Sequence, residues 1–338
     1  VRVMQSIWAR ARSNKATIVL PEGHDERIVR AAVTAAREGL ASTVLVGDRD
    51  SMARMAGQIG IDLGGITVEE PGASERLEAY ARLLFLRRKH KGVTEPEARE
   101  LALDPLYFAA LKVAAGDGDG FVAGAATATS GVLRALIHAI GAAPGVRVVS
   151  SAFLMIVPSA SGEERAFVFA DASVMPNPDP EELAAIAIAA ATTYRGLTGD
   201  EPRVAMLSFS TRGSASHPDV DKVISATGKA RRLRPDLKID GEMQADAAIV
   251  PGVASKKAPE SEVAGRANVL VFPDLDAANI GYKLVERLAG AEACGPLIQG
   301  LARPASDLSR GCSVDDVVDV IAMTAAQAGV EDVVGEGR

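Results

Sequence analysis

The chain has 338 residues, 48% of them hydrophobic but only 4% aromatic, and carries a formal net charge of −7. That length exceeds what one core usually serves, so two domains or one large α/β unit is expected. The acidic balance argues against general nucleic-acid binding, and no apolar run reaches the roughly eighteen residues of a membrane span.

Two cysteines, Cys294 and Cys312, make neither a disulfide framework nor zinc-ligand spacing, and Val1-Arg2-Val3-Met4-Gln5 lacks a signal-peptide core. The cytoplasm is the expected compartment. An acidic protein that handles anionic substrates must attract them locally, with arginines and helix ends, against its own global field.

Residues 1–12 pattern as a short amphipathic helix, and residues 16–20 as a buried strand stopped by Pro21-Glu22-Gly23. A helix follows through residues 25–32 with acids in its first turn, then a second strand over residues 43–46. Strand, helix and strand in that order, with fully apolar strands, predict a parallel sheet. A long helix over residues 74–90 ends in Arg87-Arg88-Lys89-His90-Lys91-Gly92, a basic cluster the helix dipole alone could explain. Thr94 caps the next helix.

Gly116-Asp117-Gly118-Asp119-Gly120 turns into a strand over residues 121–125, and Thr127-Ala128-Thr129-Ser130-Gly131 leads to the helix bearing Arg134. Small residues and hydroxyls between strand and helix let backbone N–H groups approach a phosphate; an ordinary βα loop is the plain alternative. The glycines precede the strand, so no dinucleotide fingerprint is present.

The pattern restarts near residue 146, with strands over residues 146–157 and 166–169 joined by a hairpin loop from Ser159 to Glu164. A helix from Pro180 to Arg195 follows. The strand at residues 204–207 then opens into a second hydroxyl-rich loop from Ser208 to His217, carrying Ser210, Thr211 and Arg212. Ligands of open α/β sheets collect at such strand ends. Asp240, Glu242 and Asp246 lack the dense oxygen spacing of a metal site, so solvated or capping acids are the better reading and no metal is expected. Strands at residues 269–272 and 296–298 complete the series. His24, His90, His138 and His217 pair with no nucleophile in sequence and read as structural or surface residues.

The final motif is Asp307-Leu308-Ser309-Arg310-Gly311-Cys312-Ser313-Val314-Asp315-Asp316. Val314, Val317, Val318, Ile321 and Ala325 recur at helical spacing, so a helix with one buried face starts after Ser313. Ser313 is its natural N-cap and Asp316 stands where a capping box places its acid. The loop thus delivers Ser309 and Arg310 to the positive end of a helix, a place suited to an anion.

Taken together, these stretches resemble the phosphotransacetylase (phosphate acetyltransferase) family in its short, single-module form. They include Pro21-Glu22-Gly23 with Asp25 and Arg27, Arg88 to Gly92, Gly124-Ala125 with Leu133-Arg134, Ser208 to Ala215, and Ile239 to Glu242. Phe272-Pro273-Asp274, Asn279 to Lys283, Gly295-Pro296 and Asp307 to Ser313 carry it most strongly. Residues 126–131 depart from the family pattern, and Ala135 follows Arg134 where the family has proline. Of the adjacent arginines, counting back from Gly92 favours Arg88 over Arg87 as the functional one.

The resemblance implies acetyl-CoA + phosphate ⇌ CoA + acetyl phosphate, with no tightly bound cofactor: coenzyme A and acetyl-CoA are substrates. It implies two α/β domains with a cleft between them, isocitrate/isopropylmalate dehydrogenase-like, here residues 1–145 plus 295–338 and residues 146–294, and a homodimer. It further implies direct acyl transfer in a ternary complex, with Arg310 on phosphate, Ser309 donating to the oxyanion and Asp316 taking the CoA thiol proton. Arg88, Arg134, Thr129, Ser130, Ser210, Thr211, Tyr282 and Cys312 are the expected substrate-binding residues.

An ordinary aspartate lies about 4.6 pKa units below a thiol, so full proton transfer would be uphill by roughly 6 kcal/mol. Burial of the acid, transfer concerted with attack, or a thiol pKa lowered by guanidiniums would each close that gap. The rivals are a covalent acetyl-enzyme on Cys312, a phosphate butyryltransferase-type enzyme and a non-catalytic acyl-CoA-sensing domain. A metal- and nicotinamide-dependent dehydrogenase has only fold analogy behind it.

Overall fold

The computed structural model describes residues 2–159 and 162–328. Two compact units emerge, one holding Met4–Pro144 together with the chain from Leu301 onward, the other holding Gly145–Gly300.

In the first unit the chain runs α1 (Val3–Asn14), β1 (Thr17–Leu20), α2 (Glu26–Arg37), β2 (Ser42–Val46), α3 (Arg49–Gln58) and β3 (Thr67–Glu69). It continues through α4 (Leu77–Arg88), α5 (Glu95–Leu103), α6 (Pro105–Ala115), β4 (Gly120–Ala123) and α7 (Thr129–Ala139). The second unit carries β5 (Ser150–Pro158), β6 (Glu164–Ala170), α8 (Pro180–Thr198), β7 (Arg203–Leu207), α9 (Pro218–Leu233) and β8 (Lys238–Met243). Then come α10 (Ala245–Ile249), α11 (Pro251–Lys257), β9 (Val269–Val271), α12 (Leu275–Ala289) and β10 (Glu292–Gln299). The chain re-enters the first unit with β11 (Ala305–Asp307) and α13 (Val314–Gln327).

The first unit's sheet has the order β3-β2-β1-β4-β11 and is parallel throughout. Its inner strands β1 and β4 are buried on both faces, as their continuous apolar runs require. The core gathers Ile18, Leu20, Phe121, Phe108 and Leu111 with Val317, Ile321 and Ala325 from α13, each with no accessible surface. α13 is also tied to α1: Trp8 Nε1 donates to Asp319 Oδ1 at 2.8 Å, and Asn14 Nδ2 to the carbonyls of Ala325 and Ala326. In the second unit, β10-β5-β6 pair antiparallel and β6-β9-β7-β8 parallel. Phe153, Phe167, Phe169, Leu270 and Tyr282 build its core.

Several elements differ from the sequence expectation. Residues 146–149 lie outside β5, which begins at Ser150, and the strand expected at 296–298 extends back to Glu292. β3, β8 and β11 were unforeseen, β3 and β11 being three residues each and β8 carrying Asp240 and Glu242, buried instead of solvated; α3, α6 and α9 to α12 were also unassigned. The expected hairpin forms between β5 and β6, with residues 160 and 161 of its loop outside the described residues. Among the described residues no helix is long and apolar enough to cross a membrane.

Candidate active site

The turn after β1 carries Glu22, whose side chain is only 2% exposed. Its Oε2 accepts the N–H groups of Gly124 and Ala125, both at 2.9 Å, and its Oε1 those of Ala126 at 3.0 Å and Thr127 at 2.7 Å. Four successive donors after β4 therefore converge on one carboxylate. An internal anion thus satisfies these N–H groups, as the plain βα-loop reading allows, and of the four only Thr127 belongs to the 127–131 stretch. The signal was hidden in Pro21-Glu22-Gly23, which reads only as the end of a strand.

Beside it, Asp25 caps α2 by accepting the Arg27 N–H at 2.9 Å. The same carboxylate takes Arg27 Nε at 3.0 Å and Nη2 at 2.7 Å, and these bonds hold the Asp25 carboxyl below its usual range. Arg27 then reaches across two further loops. Nη2 donates to the Ala125 carbonyl at 2.7 Å, and Nη1 to the carbonyls of Arg310 at 2.8 Å and Cys312 at 2.9 Å. The rigid fork of one guanidinium thus ties the loops after β1, β4 and β11 together. Arg27 was quoted for the resemblance but left out of the site, since nothing local in the sequence shows this reach.

The loop after β11 leaves Ser309 and Arg310 exposed and buries Cys312. The Cys312 N–H bonds to the Ser309 carbonyl at 2.9 Å, and the Gly311 N–H to Ser309 Oγ at 3.3 Å. Ser313 and Asp316 form the reciprocal capping box: Asp316 Oδ2 accepts the Ser313 N–H at 2.8 Å, and Ser313 Oγ the Asp316 N–H at 3.1 Å. Capping thus engages one oxygen of an exposed carboxylate. Burial pushes the Cys312 thiol up, with Arg27 opposing, so the thiol form dominates at neutral pH.

The two adjacent arginines at the end of α4 separate by role. Arg87 Nη1 donates to the Ala139 carbonyl at 2.5 Å and to that of Ile140, closing the C-terminus of α7. Arg88 is half-buried, and its Nε has no hydrogen-bond partner among the described residues. Arg134 stands exposed on α7, one turn before His138. His138 Nδ1 meets the Tyr107 hydroxyl from α6 at 3.1 Å. Burial lowers the His138 pKa, and the charges of Arg88 and Arg134 lower it further; both arginines act on Tyr107 as well. Arg88, Arg134, His138 and Tyr107 therefore share one electrostatic neighbourhood. The i, i+4 spacing of Arg134 and His138 was the available clue to the histidine.

Ser130 is exposed, whereas Thr129 Oγ1 donates to Asp307 Oδ2 at 2.6 Å. Asp307 is 1% exposed and its Oδ1 has no partner among the described residues. The fit is tight: Gly124 has φ +115°, and a Cβ there would lie 2.2 Å from Asp307 Oδ1. Burial raises the Asp307 pKa to about 6, against the Thr129 bond, which lowers it.

A carboxyl with a raised native pKa adds stability below its unfolded value and loses it as pH rises through the native one. Asp307→Asn therefore raises the thermal midpoint at pH 7.5, by up to about 3 kcal/mol of stability. The gain shrinks toward pH 4; thermal unfolding at both pH values checks it.

The remaining expected residues lie in the second unit. The Ser210 hydroxyl is fully buried and donates to Glu242 Oε1 at 2.9 Å, which also takes the Gly213 N–H at 2.7 Å. Thr211 Oγ1 accepts the Gln244 N–H at 2.9 Å. This loop, like the one after β4, closes on an internal carboxylate, which leaves the two buried hydroxyls in structural roles. Tyr282 is 9% exposed and stacks on Phe153 with ring centroids 4.3 Å apart, so it is a packing residue of its unit. Asp240 pairs with Arg212 at 2.6 Å and Arg231 at 2.5 Å, and Asp246 with Lys257 at 3.1 Å. No group of side chains among the described residues has the make-up of a metal site.

Comparison with known proteins finds relatives along nearly the whole chain. The sequence model described as phosphate acetyl/butaryl transferase matches residues 2–325. A phosphate acetyltransferase of Thermoanaerobacterium thermosaccharolyticum is 52% identical over 327 residues, covering 96% of this chain and 99% of that protein. One from Acetivibrio thermocellus is 50% identical over 326 residues, covering 96% and 98%. The structure of the EutD phosphotransacetylase from Staphylococcus aureus superposes with a TM-score of 0.89 at 40% identity, covering 96% of this chain and 99% of that one. By family match, sequence identity and fold alike, the chain belongs to the phosphate acetyl/butyryl transferase family.

Proposed function

We propose that the chain is a phosphate acetyltransferase that moves an acetyl group directly between coenzyme A and inorganic phosphate. The observation that carries this reading is the Ser309–Arg310 loop, pinned by Arg27 against the capped start of α13. Arg310 offers a guanidinium fork for phosphate or acetyl phosphate. Ser309 donates to the oxyanion that develops on the acetyl carbonyl. In the direction of acetyl-CoA synthesis, Asp316 accepts the thiol proton as sulfur bonds to the carbonyl carbon. The bond from that carbon to the phosphate oxygen then breaks, and phosphate leaves with the electron pair. Asp316 is exposed, so desolvation of the acid awaits bound substrate, which favours proton transfer concerted with attack. Arg88 and Arg134 bind the anionic parts of the coenzyme.

Burial of Cys312 and the upward push on its thiol weigh against a covalent acetyl-enzyme. The family also embraces butyryl transfer, and the acyl preference is set by experiment. The test is thiol release from acetyl-, propionyl- and butyryl-CoA with and without inorganic phosphate. Fastest phosphate-dependent release from acetyl-CoA supports the reading. Binding of acyl-CoA without any release would mark a sensing domain instead.

The exposed apolar residues of α12, Ile280 at 58%, Leu284 at 52% and Leu288 at 82%, recur at four-residue spacing along one helix face. Such a stripe is unusual on a solvated helix and supports the expected homodimer. Leu284→Asp with Leu288→Asp converts a dimer to monomer in sedimentation velocity; a wild-type monomer would refute the dimer. A compartment with a pool of acetyl-CoA, the cytoplasm, fits this activity.

A further inference from the structure

The turn between β4 and α7 looks on sequence like an anion cradle, yet it rests on two buried carboxylates. Glu22 absorbs its N–H groups from one side, and Asp307 holds the Thr129 hydroxyl from the other. Two negative charges beneath one short turn repel a phosphate. They favour a ligand that brings hydrogen-bond donors.

The chemistry at Thr129 is set by what lies behind it. A carboxylate is an acceptor only, so at a Thr129 Oγ1 to Asp307 Oδ2 distance of 2.6 Å the hydroxyl hydrogen is committed to Asp307. Thr129 is half-exposed, and what remains to it is a lone pair. When Asp307 is protonated it becomes the donor, and Thr129 is free to present its hydrogen instead. The polarity of the hydroxyl thus reverses with one proton. Asp307 also stands two residues before Ser309, on the strand that launches the transfer loop.

We propose that Asp307 is a positioning residue of the transfer site: by taking the Thr129 hydrogen it makes Thr129 an acceptor for a donor hydrogen of coenzyme A. This rests on reading the site as one that binds that coenzyme. The coenzyme supplies such donors in its amide N–H and thiol S–H groups, whereas a phosphate dianion supplies none. Phosphate is left to the Arg310 side of the site.

The groups around Asp307 are few. Among the described residues, Glu22 on the turn after β1 is the charge that acts on it; α7 contributes Thr129, and the β4–α7 turn has no titratable side chain. Cys312 in the loop and Asp315 and Asp316 on α13 stand at the far end of the same segment. Keeping an ionised carboxylate buried with one unused acceptor oxygen destabilises the fold, a common mark of a residue retained for function.

The test is calorimetric titration of the full chain with coenzyme A from pH 5 to pH 8, for the wild type, Asp307→Asn and Thr129→Val. The titration of the ligand itself is common to all three. The wild-type Kd should rise threefold to tenfold more than that of either variant between pH 7.5 and pH 5, because only the wild type loses the acceptor. Asp307→Asn keeps an acceptor oxygen toward Thr129 and should show no such extra loss. Parallel curves for the wild type and Asp307→Asn would overturn the proposal. If Asp307→Asn does not fold, the wild type and Thr129→Val decide by the same criterion. Loss of all coenzyme binding in the wild type would sink the underlying reading of the site as well, a result distinct from parallel curves. A structural role alone would raise the Kd by the same factor at every pH without changing the shape of the curve.

Discussion

Asp316→Asn lowers kcat by about 10²–10⁴-fold while KM for each substrate moves less than tenfold, the usual worth of a positioned general base. The substitution isolates basicity because of the capping geometry. Asp316 Oδ2 accepts the Ser313 N–H at 2.8 Å, and an asparagine carbonyl oxygen can accept the same hydrogen. The start of α13 therefore stays in place, and thermal unfolding of the variant should match the wild type closely. Asp316→Ala removes both functions and would also loosen the cap, by about 1 kcal/mol. Steady-state kinetics beside thermal melts separates the two roles. A kcat unchanged in Asp316→Asn would return the residue to capping alone.

Arg27→Lys lowers kcat about 10²-fold and raises the KM for phosphate, with the KM for coenzyme A nearly unchanged. The asymmetry follows from what the guanidinium touches. Its bonds run to Asp25, to the Ala125 carbonyl and to the carbonyls of Arg310 and Cys312, all on the Asp25 and Ser309–Arg310 side of the site. A lysine keeps the charge but cannot span three loops with one nitrogen. The Ser309–Arg310 loop then loses two anchors and samples geometries away from the reacting carbonyl, where small displacements carry large rate penalties. The fold weakens too, by about 1–3 kcal/mol, because part-buried carbonyls and part of Asp25 lose charged donors. Substrate saturation curves for both substrates, with melts as the control for stability, check this. An equal rise in both KM values at unchanged kcat would contradict it.

Much of this site was legible in one dimension where the interactions are local. The capping box of Ser313 and Asp316 spans three residues and follows from local helix chemistry, as does that of Thr94 and Glu97. The apolar runs of β1 and β4 announce a parallel sheet because both faces are covered. What stayed hidden is long-range. Glu22 meets its four donors 102 to 105 positions downstream, and Arg27 meets its carbonyl acceptors up to 285 positions away. No spacing rule reaches that far.

The two hydroxyl-rich loops left two readings open for a related reason. Their composition fits an anion cradle, and the fold indeed supplies an anion to each, Glu22 in one and Glu242 in the other. Arg87 and Arg88 are indistinguishable by composition; only the placement of α7 shows that Arg87 is spent on helix-end carbonyls. β11 escaped notice because Ala305-Ser306-Asp307 is short and polar, yet it is the strand that aims Ser309 and Arg310.

The central claim is that Arg310 brings phosphate to the acyl carbonyl in a direct transfer. The rate of coenzyme A release from acetyl-CoA, measured against phosphate concentration for the wild type and Arg310→Gln, tests it most directly. The wild type should release the thiol only when phosphate is present, and Arg310→Gln should lose at least about 10²-fold in kcat/KM for phosphate, as expected when a charged partner of the transferring group is removed. Thiol release by the wild type without phosphate, or an Arg310→Gln variant with an unchanged phosphate response, would contradict it.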